Sequence, residues 1–290
     1  MTDKLTIPKR IVVAVHPKMP EAIKEAESFE ALLKTRGLTT RCGLLDDADL
    51  RLRVRNGEFD MLVAVGGDGT MLRAAHLCAP WGVPILGVNL GRLGFLFQVG
   101  RNDWQDYFSL LLEGEFWIEK RMMLRAEHWR SGDAQGNWHA LNEAVICRGH
   151  YIRPVHISAS VDERLLTTYV ADGLIAATPT GSTAYALAAG GPILPPELRN
   201  ILLVPIAPHL SVDRAVVLSE GSTVSIQIHS DAGTVLSVDG QTPVGLEQKD
   251  IVKIRAGDYS AHFVRFGDPD YFYRNLTARM NQNSSIGFPR

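Results

Sequence analysis

Residues 61–70 read Met61-Leu62-Val63-Ala64-Val65-Gly66-Gly67-Asp68-Gly69-Thr70, and Met71-Leu72-Arg73-Ala74-Ala75 follows. Met61–Val65 is an apolar run of the length and type of a buried strand, and the spacing after Thr70 is helical. The glycines between them remove Cβ atoms, so the chain can take up φ > 0 and approach a ligand closely. The helix that follows offers N–H groups and the positive end of its dipole to an anion. Asp68 falls at the C-terminal end of the strand, where open α/β sheets bind their ligands. The stretch therefore predicts a phosphate-binding turn made by Gly66, Gly67, Gly69 and Thr70, with one carboxylate in it. A plain Gly-rich strand-to-helix turn is the alternative.

The flanking sequence carries the same alternation. Arg10–Val15 is a short β-rich run, and Glu21–Arg36 is amphipathic, with Ile23, Ala26, Phe29, Leu32 and Leu33 on one face and Gly37 as its C-cap. Thr39–Leu45 and Asp60–Val65 read as further strands, the latter followed by a helix through about Ala79. Pro84–Val88 reads as a fourth strand, and Asn102–Leu112 as a helix closed by Gly114. Strands separated by helices imply a parallel sheet with right-handed crossovers. The expected first domain is α/β and spans residues 1–115. From 116 to 265, short β-type segments end in turn signals: Met122–Trp129, Thr223–His229, Thr234–Val238 before Asp239-Gly240, and Ile251–Arg255 before Gly257-Asp258. This spacing predicts a mostly β second domain. Thr183–Ala189 is its one strong helical interruption. The tail, Asp268–Asn281, reads as a helix within a segment, 266–290, that packs back on the first domain, and Ser284–Arg290 reads as frayed.

Composition removes several classes of function. The chain has 290 residues, a net charge of -2 and an apolar fraction of 46%, so a large core is expected and bulk charge points to neither nucleic acid nor an anionic membrane. Its longest apolar runs, such as Met61–Val65 and Ile201–Pro208, are too short to span a bilayer, and the N-terminus lacks a signal-peptide stretch. Cys42, Cys78 and Cys147 are scattered and make no paired framework, which points to a reducing cytoplasm. The nine histidines show no metal-ligand spacing.

Three further stretches could carry chemistry. Asp172–Tyr185 holds a buried strand, Leu174–Ala177, then Thr178-Pro179-Thr180-Gly181-Ser182-Thr183 and a run of small residues. Hydroxyls around a glycine at a helix N-terminus can donate to anionic or ribose oxygens; an N-cap and a tightly packed helix explain the same residues. Asn142-Glu143 interrupts an apolar strand. A carboxylate is costly to bury without partners, so the pair marks either an exposed strand end or a site that reads ribose hydroxyls or base edges. Asp239-Gly240-Gln241 reads as a hairpin turn. The absence of a P-loop pattern excludes that enzyme class, and the absence of an early G-x-G-x-x-G argues against a bound nicotinamide redox cofactor.

Together these stretches resemble the ATP-dependent NAD kinase family, some of whose members also use polyphosphate. The resemblance runs from about Arg10 to Tyr273 and rests on Gly66–Thr70, Asn89–Leu96, Asn142-Glu143, Asp172–Ile193 and Leu203–His209. The Gly-Gly-Asp-Gly turn is shared with phosphofructokinases and with diacylglycerol and sphingosine kinases; Thr178–Tyr185 with an upstream Asn-Glu is the more specific mark. The resemblance implies transfer of the γ-phosphoryl of ATP to the 2′-hydroxyl of the adenosine ribose of NAD, making NADP. It further implies a Rossmann-like α/β first domain and a largely β second one, a divalent cation, Mg²⁺ in the usual case, bound with ATP, NAD held between the two domains, and a homodimer or homotetramer. By position, Asp68 is the implied base, with Gly69 beside it and Arg73 facing phosphate. Asn142 and Glu143 hold the ribose. Asp172, Thr183, Ala184, Tyr185, Ala186, Leu187 and Ala188 line the adenine and nicotinamide pockets, and Phe95 packs on a ring. Arg153, Ala207 and Gln241 join the site by counting from nearby motifs. Val170 stands where some members carry a basic residue. The rival readings are a lipid or sugar kinase with the same turn, a dehydrogenase, and a non-catalytic NAD-binding regulator.

Overall fold

In the computed structural model, the described residues are 6–17, 20–91, 94–149, 153–209, 213–230, 233–273 and 276. The chain divides into two compact units: unit one is the described part of Met1–Lys120 and Ala261–Arg290, and unit two is that of Arg121–Ser260.

Unit one alternates strand and helix. Its elements are β1 (Arg10–Val15), α1 (Pro20–Thr35), β2 (Thr39–Leu44), α2 (Ala48–Arg55), β3 (Met61–Gly66), α3 (Asp68–Cys78), β4 (Ile85–Asn89), β5 (Val99–Gly100) and α4 (Trp104–Glu113). The strands lie in the order β2-β1-β3-β4, all parallel, with β5 beside the end of β4. The chain reverses its direction of travel across the sheet between β1 and β3. The Gly66–Thr70 turn leaves β3 at that reversal, the place where doubly wound sheets open a crevice for ligands. On one face Phe29 of α1 stacks against Trp104 and Phe108 of α4, above Ile11, Val13, Val63 and Val88. On β4, a Cβ on Gly87 would lie 2.9 Å from Met71 of α3 and from Phe97. The missing Cβ therefore lets α3 seat directly on the strand.

Unit two is built from β6 (Trp117–Arg130), which begins in unit one, then β7 (Asp133–Ala140), β8 (Glu143–Arg148), β9 (Val155–Val161), β10 (Arg164–Ala171), β11 (Gly173–Ala177) and α5 (Tyr185–Ala188). It continues through β12 (Asn200–Ile206), β13 (Val216–Ser219), β14 (Val224–Ile228), β15 (Thr234–Val238), β16 (Val244–Leu246) and β17 (Ile251–Arg265), whose end lies in unit one. One antiparallel layer runs β10-β9-β14-β17, with β6 and β7 beyond; the other runs β13-β12-β11-β8-β15-β16. Alternate residues of both layers, among them Leu124, Ile146, Ile157, Leu174, Leu203, Ile226 and Ile254, form one core. The second layer is also covered on its outer face, where Ala186 of α5 packs with Ile175, Leu202 and Val204.

Several elements differ from the sequence reading. Helix α2 was not expected: it buries only Leu50 and Val54, and the Asp47 side chain that caps it, accepting from the Leu50 N–H, starts a helix too short to show a periodic face. Gly257-Asp258 is no turn, because β17 runs through it. A Cβ on Gly257 would lie 3.0 Å from the Met123 carbonyl, so the glycine permits close approach of a neighbouring strand, while Asp258 pairs with Arg125 and Arg255. The helix expected over Thr183–Ala189 is one 3-10 turn, Gly181–Thr183, and the single turn of α5. In the tail, Tyr271–Tyr273 is helical, and half of the expected Asp268–Asn281 helix and all of Ser284–Arg290 lie outside the described residues. Among the described residues no helix is long and apolar enough to cross a membrane.

Candidate active site

One group of candidate residues lies in unit one. At Gly66 the backbone has φ 156°, and a Cβ there would collide with the hydroxyl of Thr70, which is buried beneath the turn. Gly66 is therefore required both by conformation and by space. Gly67 caps α3 without a side chain, its carbonyl accepting from the N–H groups of Thr70 and Met71. Asp68 and Gly69 are exposed in the first turn of the helix, and Arg73 is exposed one turn later. A carboxylate at this end of a helix is favoured by the dipole. The loop after β4 is tied to the same turn. Asn89 pairs in register with Gly66, the Leu90 N–H donates to the Gly66 carbonyl, and the Asn89 side chain accepts from the Gly91 N–H at 2.6 Å. Beyond Arg92 and Leu93, which lie outside the described residues, the chain returns over Asp68. A Cβ on Gly94 would sit 2.9 Å from both carboxylate oxygens. Phe95 is 9% exposed with its ring against Phe272, so it serves the core of unit one and offers little surface to a ligand.

A second group lies in unit two. Glu143 opens β8 and Asn142 precedes it, half-buried. The Asn142 carbonyl accepts from the Thr178 N–H at 2.8 Å, and the Thr178 hydroxyl donates to the Leu141 carbonyl and accepts from the Gly181 N–H. A Cβ on Gly181 would collide with the Asn142 carbonyl. The Thr178–Gly181 turn is thus pressed onto the Asn-Glu pair by a position open only to glycine. The Ser182 hydroxyl donates to the Pro179 carbonyl and accepts from the Leu194 N–H, and the Thr183 hydroxyl donates to the Thr180 carbonyl. Most of these hydroxyls therefore fold the turn; the buried Thr180 hydroxyl is the exception, with no hydrogen-bond partner among the described residues.

Glu143 is 8% exposed and its Oε2 has no hydrogen-bond partner among the described residues. Burial pushes its carboxyl up to about 7; the charge of Asp239 adds to the rise, and a hydrogen bond from the Tyr185 N–H opposes it. Tyr185 is 44% exposed, and its phenol is raised by burial and by Cys147, Asp172 and Glu143. Asp172, before β11, pairs with Arg148 at 3.0 Å. Of the remaining expected residues, Thr183, Ala184 and Leu187 are half-buried around the same turn, Ala188 is exposed, and Ala186 is wholly buried as packing. Ala207 is exposed at φ 44° just past Ile206, whose carbonyl accepts from the Asp172 N–H. Gln241 is exposed after the β15 turn, and Arg153 is exposed ahead of β9. The structure also brings in Asp239, whose carboxylate accepts from the backbone of Leu141, Asn142 and Glu143. Its Asp-Gly signature looks the same as that of any hairpin. Among the described residues no group of three or more His, Cys, Asp or Glu side chains is gathered as a metal site.

The comparisons with known proteins agree with one another. Residues 9–116 match the family model of the ATP-NAD kinase N-terminal domain, and residues 141–266 match that of the ATP-NAD kinase C-terminal domain. An NAD kinase of Chloroflexus aggregans is 38% identical over 275 residues, which cover 95% of this chain and 99% of the relative. An NAD kinase of Symbiobacterium thermophilum is 43% identical over 227 residues, 78% and 80% of the two chains. Among solved structures, yeast NADH kinase complexed with NADH superposes with a TM-score of 0.83 at 25% identity, covering 98% of this chain and 91% of that one. An NAD kinase from Archaeoglobus fulgidus in complex with ATP superposes with a TM-score of 0.75 at 26% identity, covering 96% and 100%.

Proposed function

We propose, for a chain that belongs to the NAD kinase family and phosphorylates NAD, that Asp68 takes the proton from the acceptor hydroxyl and that Asn142 and Glu143 hold the adenosine ribose. The reaction moves the γ-phosphoryl of ATP to the ribose 2′-hydroxyl and yields NADP. A ribose hydroxyl is a weak nucleophile at neutral pH, so a carboxylate within hydrogen-bond reach raises the rate. The observation that carries the reading is the Asp68 carboxylate: exposed, at the end of β3, in the first turn of α3, and covered by a Gly94 that leaves room for it. Phosphoryl transfer asks for placement and charge stabilisation rather than covalent help. The α3 N-terminus and Arg73 supply positive potential for the phosphates in this reading.

Glu143 accepts ribose hydroxyls in the same proposal, which would give its buried Oε2 the partner that the described residues do not provide. Asp172 and Thr183–Ala188 line the base pockets, and the exposed ring of Tyr185 offers a stacking face. A divalent cation, Mg²⁺ by chemical preference, neutralises charge on the ATP phosphates. Such an ion draws its ligands mainly from phosphate and water. The free Cys42, Cys78 and Cys147 suit a reducing cytoplasm, and the assembly expected from the family is a homodimer or homotetramer. The test is to supply ATP or polyphosphate with NAD, NADH or diacylglycerol and to locate the new phosphate by ³¹P NMR. A 2′-phosphate on the dinucleotide is the expected product; phosphorylated lipid, or no phosphorylated dinucleotide, would refute the reading.

A further inference from the structure

Asp239 is doing more than turning a hairpin. It stands at φ 46° and Gly240 at φ 65°, the paired left-handed conformation that an Asp-Gly hairpin turn requires, so its backbone is that of an ordinary turn and its side chain is not. Its carboxylate accepts from three consecutive N–H groups, those of Leu141 at 2.7 Å, Asn142 at 2.9 Å and Glu143 at 3.0 Å. Its own N–H donates back to the Glu143 carbonyl at 3.0 Å. An aspartate in an ordinary Asp-Gly turn leaves its carboxylate in solvent; this one is the template on which the start of β8 is laid. It also puts a second negative group beside the buried Glu143. The other groups facing Glu143 are the Tyr185 backbone N–H and phenol on α5. Tyr185 in turn faces Cys147 on β8 and Asp172 before β11, and Asp172 is neutralised by Arg148.

We propose that Asp239 is a positioning residue of the dinucleotide site: it fixes the backbone of Leu141–Glu143, and its charge next to Glu143 makes NAD binding strengthen as pH rises through neutrality. This rests on the reading that Glu143 accepts ribose hydroxyls. The ionised carboxylate offers both oxygens as charge-assisted acceptors, whereas the protonated form gives one of them up to its own O–H. Burial together with the Asp239 charge keeps that proton on until about pH 7.

The experiment is calorimetry of NAD binding without ATP, from about pH 5.5 to about pH 9, on the wild type, D239N, D239E and E143Q, each first checked for a cooperative thermal transition. The wild type should bind about tenfold more tightly above the midpoint than below it, and E143Q should be weak and independent of pH. D239N should bind less tightly at its plateau, with its midpoint moved about one unit toward acid. D239E keeps the charge but not all of the backbone bonds, so it should keep the wild-type midpoint and lose plateau affinity. A purely structural role would lower the plateau without moving the midpoint. An unmoved midpoint in D239N, with E143Q flat, overturns the proposal while leaving Glu143 as a ribose ligand. E143Q that follows the wild-type curve overturns that underlying reading and the proposal with it. Should D239N fail to fold, D239S, which removes the charge and keeps one acceptor oxygen, takes its place: a midpoint moved toward acid supports the proposal, and an unmoved midpoint overturns it.

Discussion

Replacing Gly94 by alanine pushes on the Asp68 carboxylate and on little else. The added Cβ would stand 2.9 Å from both Asp68 oxygens and 3.3 Å from its Cγ. Restoring an ordinary contact requires the carboxylate to retreat by about half an ångström. Asp68 is exposed, so it has somewhere to go, and Gly94 is not one of the glycines with positive φ, so alanine is not strained there. The folding cost should therefore be within about 1 kcal/mol, as for surface substitutions away from strained positions. Catalysis is less forgiving. Since a misplacement of about 1 Å can cost about 100-fold, half that displacement should cost about tenfold in kcat. The assay is NADP formation coupled to an NADP-specific dehydrogenase, with NAD affinity and melting temperature measured on the same preparation. G94A should show kcat lowered about tenfold, with NAD affinity within about twofold of wild type. Wild-type kcat would refute the reasoning, because it would mean that the position of the Asp68 carboxylate does not govern transfer.

Two further outcomes follow from unit two. G181A drives a Cβ into the Asn142 carbonyl, so the Thr178–Gly181 turn and the Asn-Glu pair must part. A cost of about 2 kcal/mol, read as a melting temperature lower by roughly 4–8 °C, should come with weaker NAD binding; a wild-type melt and affinity would contradict the packing described here. Glu143 has a carboxyl of about 7 in the folded state against 4.5 for the free group. The native state therefore binds more protons between these values, and stability falls as pH rises through that window, by about 3 kcal/mol in all. Urea unfolding of the wild type should show that decline and E143Q should lack it. A wild type whose stability follows that of E143Q between pH 4.5 and 7 would exclude the raised carboxyl assigned to Glu143, since the difference between the two removes the opposite slope of the half-buried His262.

What could be read from the chain and what could not divide along physical lines. The run Met61–Gly66 and the glycines after it encode a buried strand and a turn open only to small residues, so both the parallel sheet and the place of Asp68 were legible. Asn142-Glu143 was visible because a carboxylate in an apolar strand demands an explanation, and the structure sharpens the demand: Glu143 is buried and its Oε2 has no hydrogen-bond partner among the described residues. Asp239 was invisible: its role is set by the N–H groups of residues nearly a hundred positions away, while its local signature is that of any Asp-Gly turn. Gly257-Asp258 misled for the converse reason, since a glycine that lets two strands come close looks the same as one that ends a strand. Helix α2 escaped because a helix held by one cap and two buried residues leaves no periodic trace. Phe95 showed only that it is aromatic and near the Gly-rich turn; the sequence reading returns the chain end to this domain but does not say that Phe272 meets this ring.

The most direct test of the central claim is the turnover of D68N with its NAD affinity measured alongside. The substitution keeps the shape of the side chain and removes the base. NAD should bind as to the wild type, within about twofold, while kcat falls by about 10²–10⁴, the usual worth of a general base. An Asp68→Asn enzyme that binds NAD and turns over at close to the wild-type rate would contradict the assignment of Asp68 as the group that receives the ribose proton.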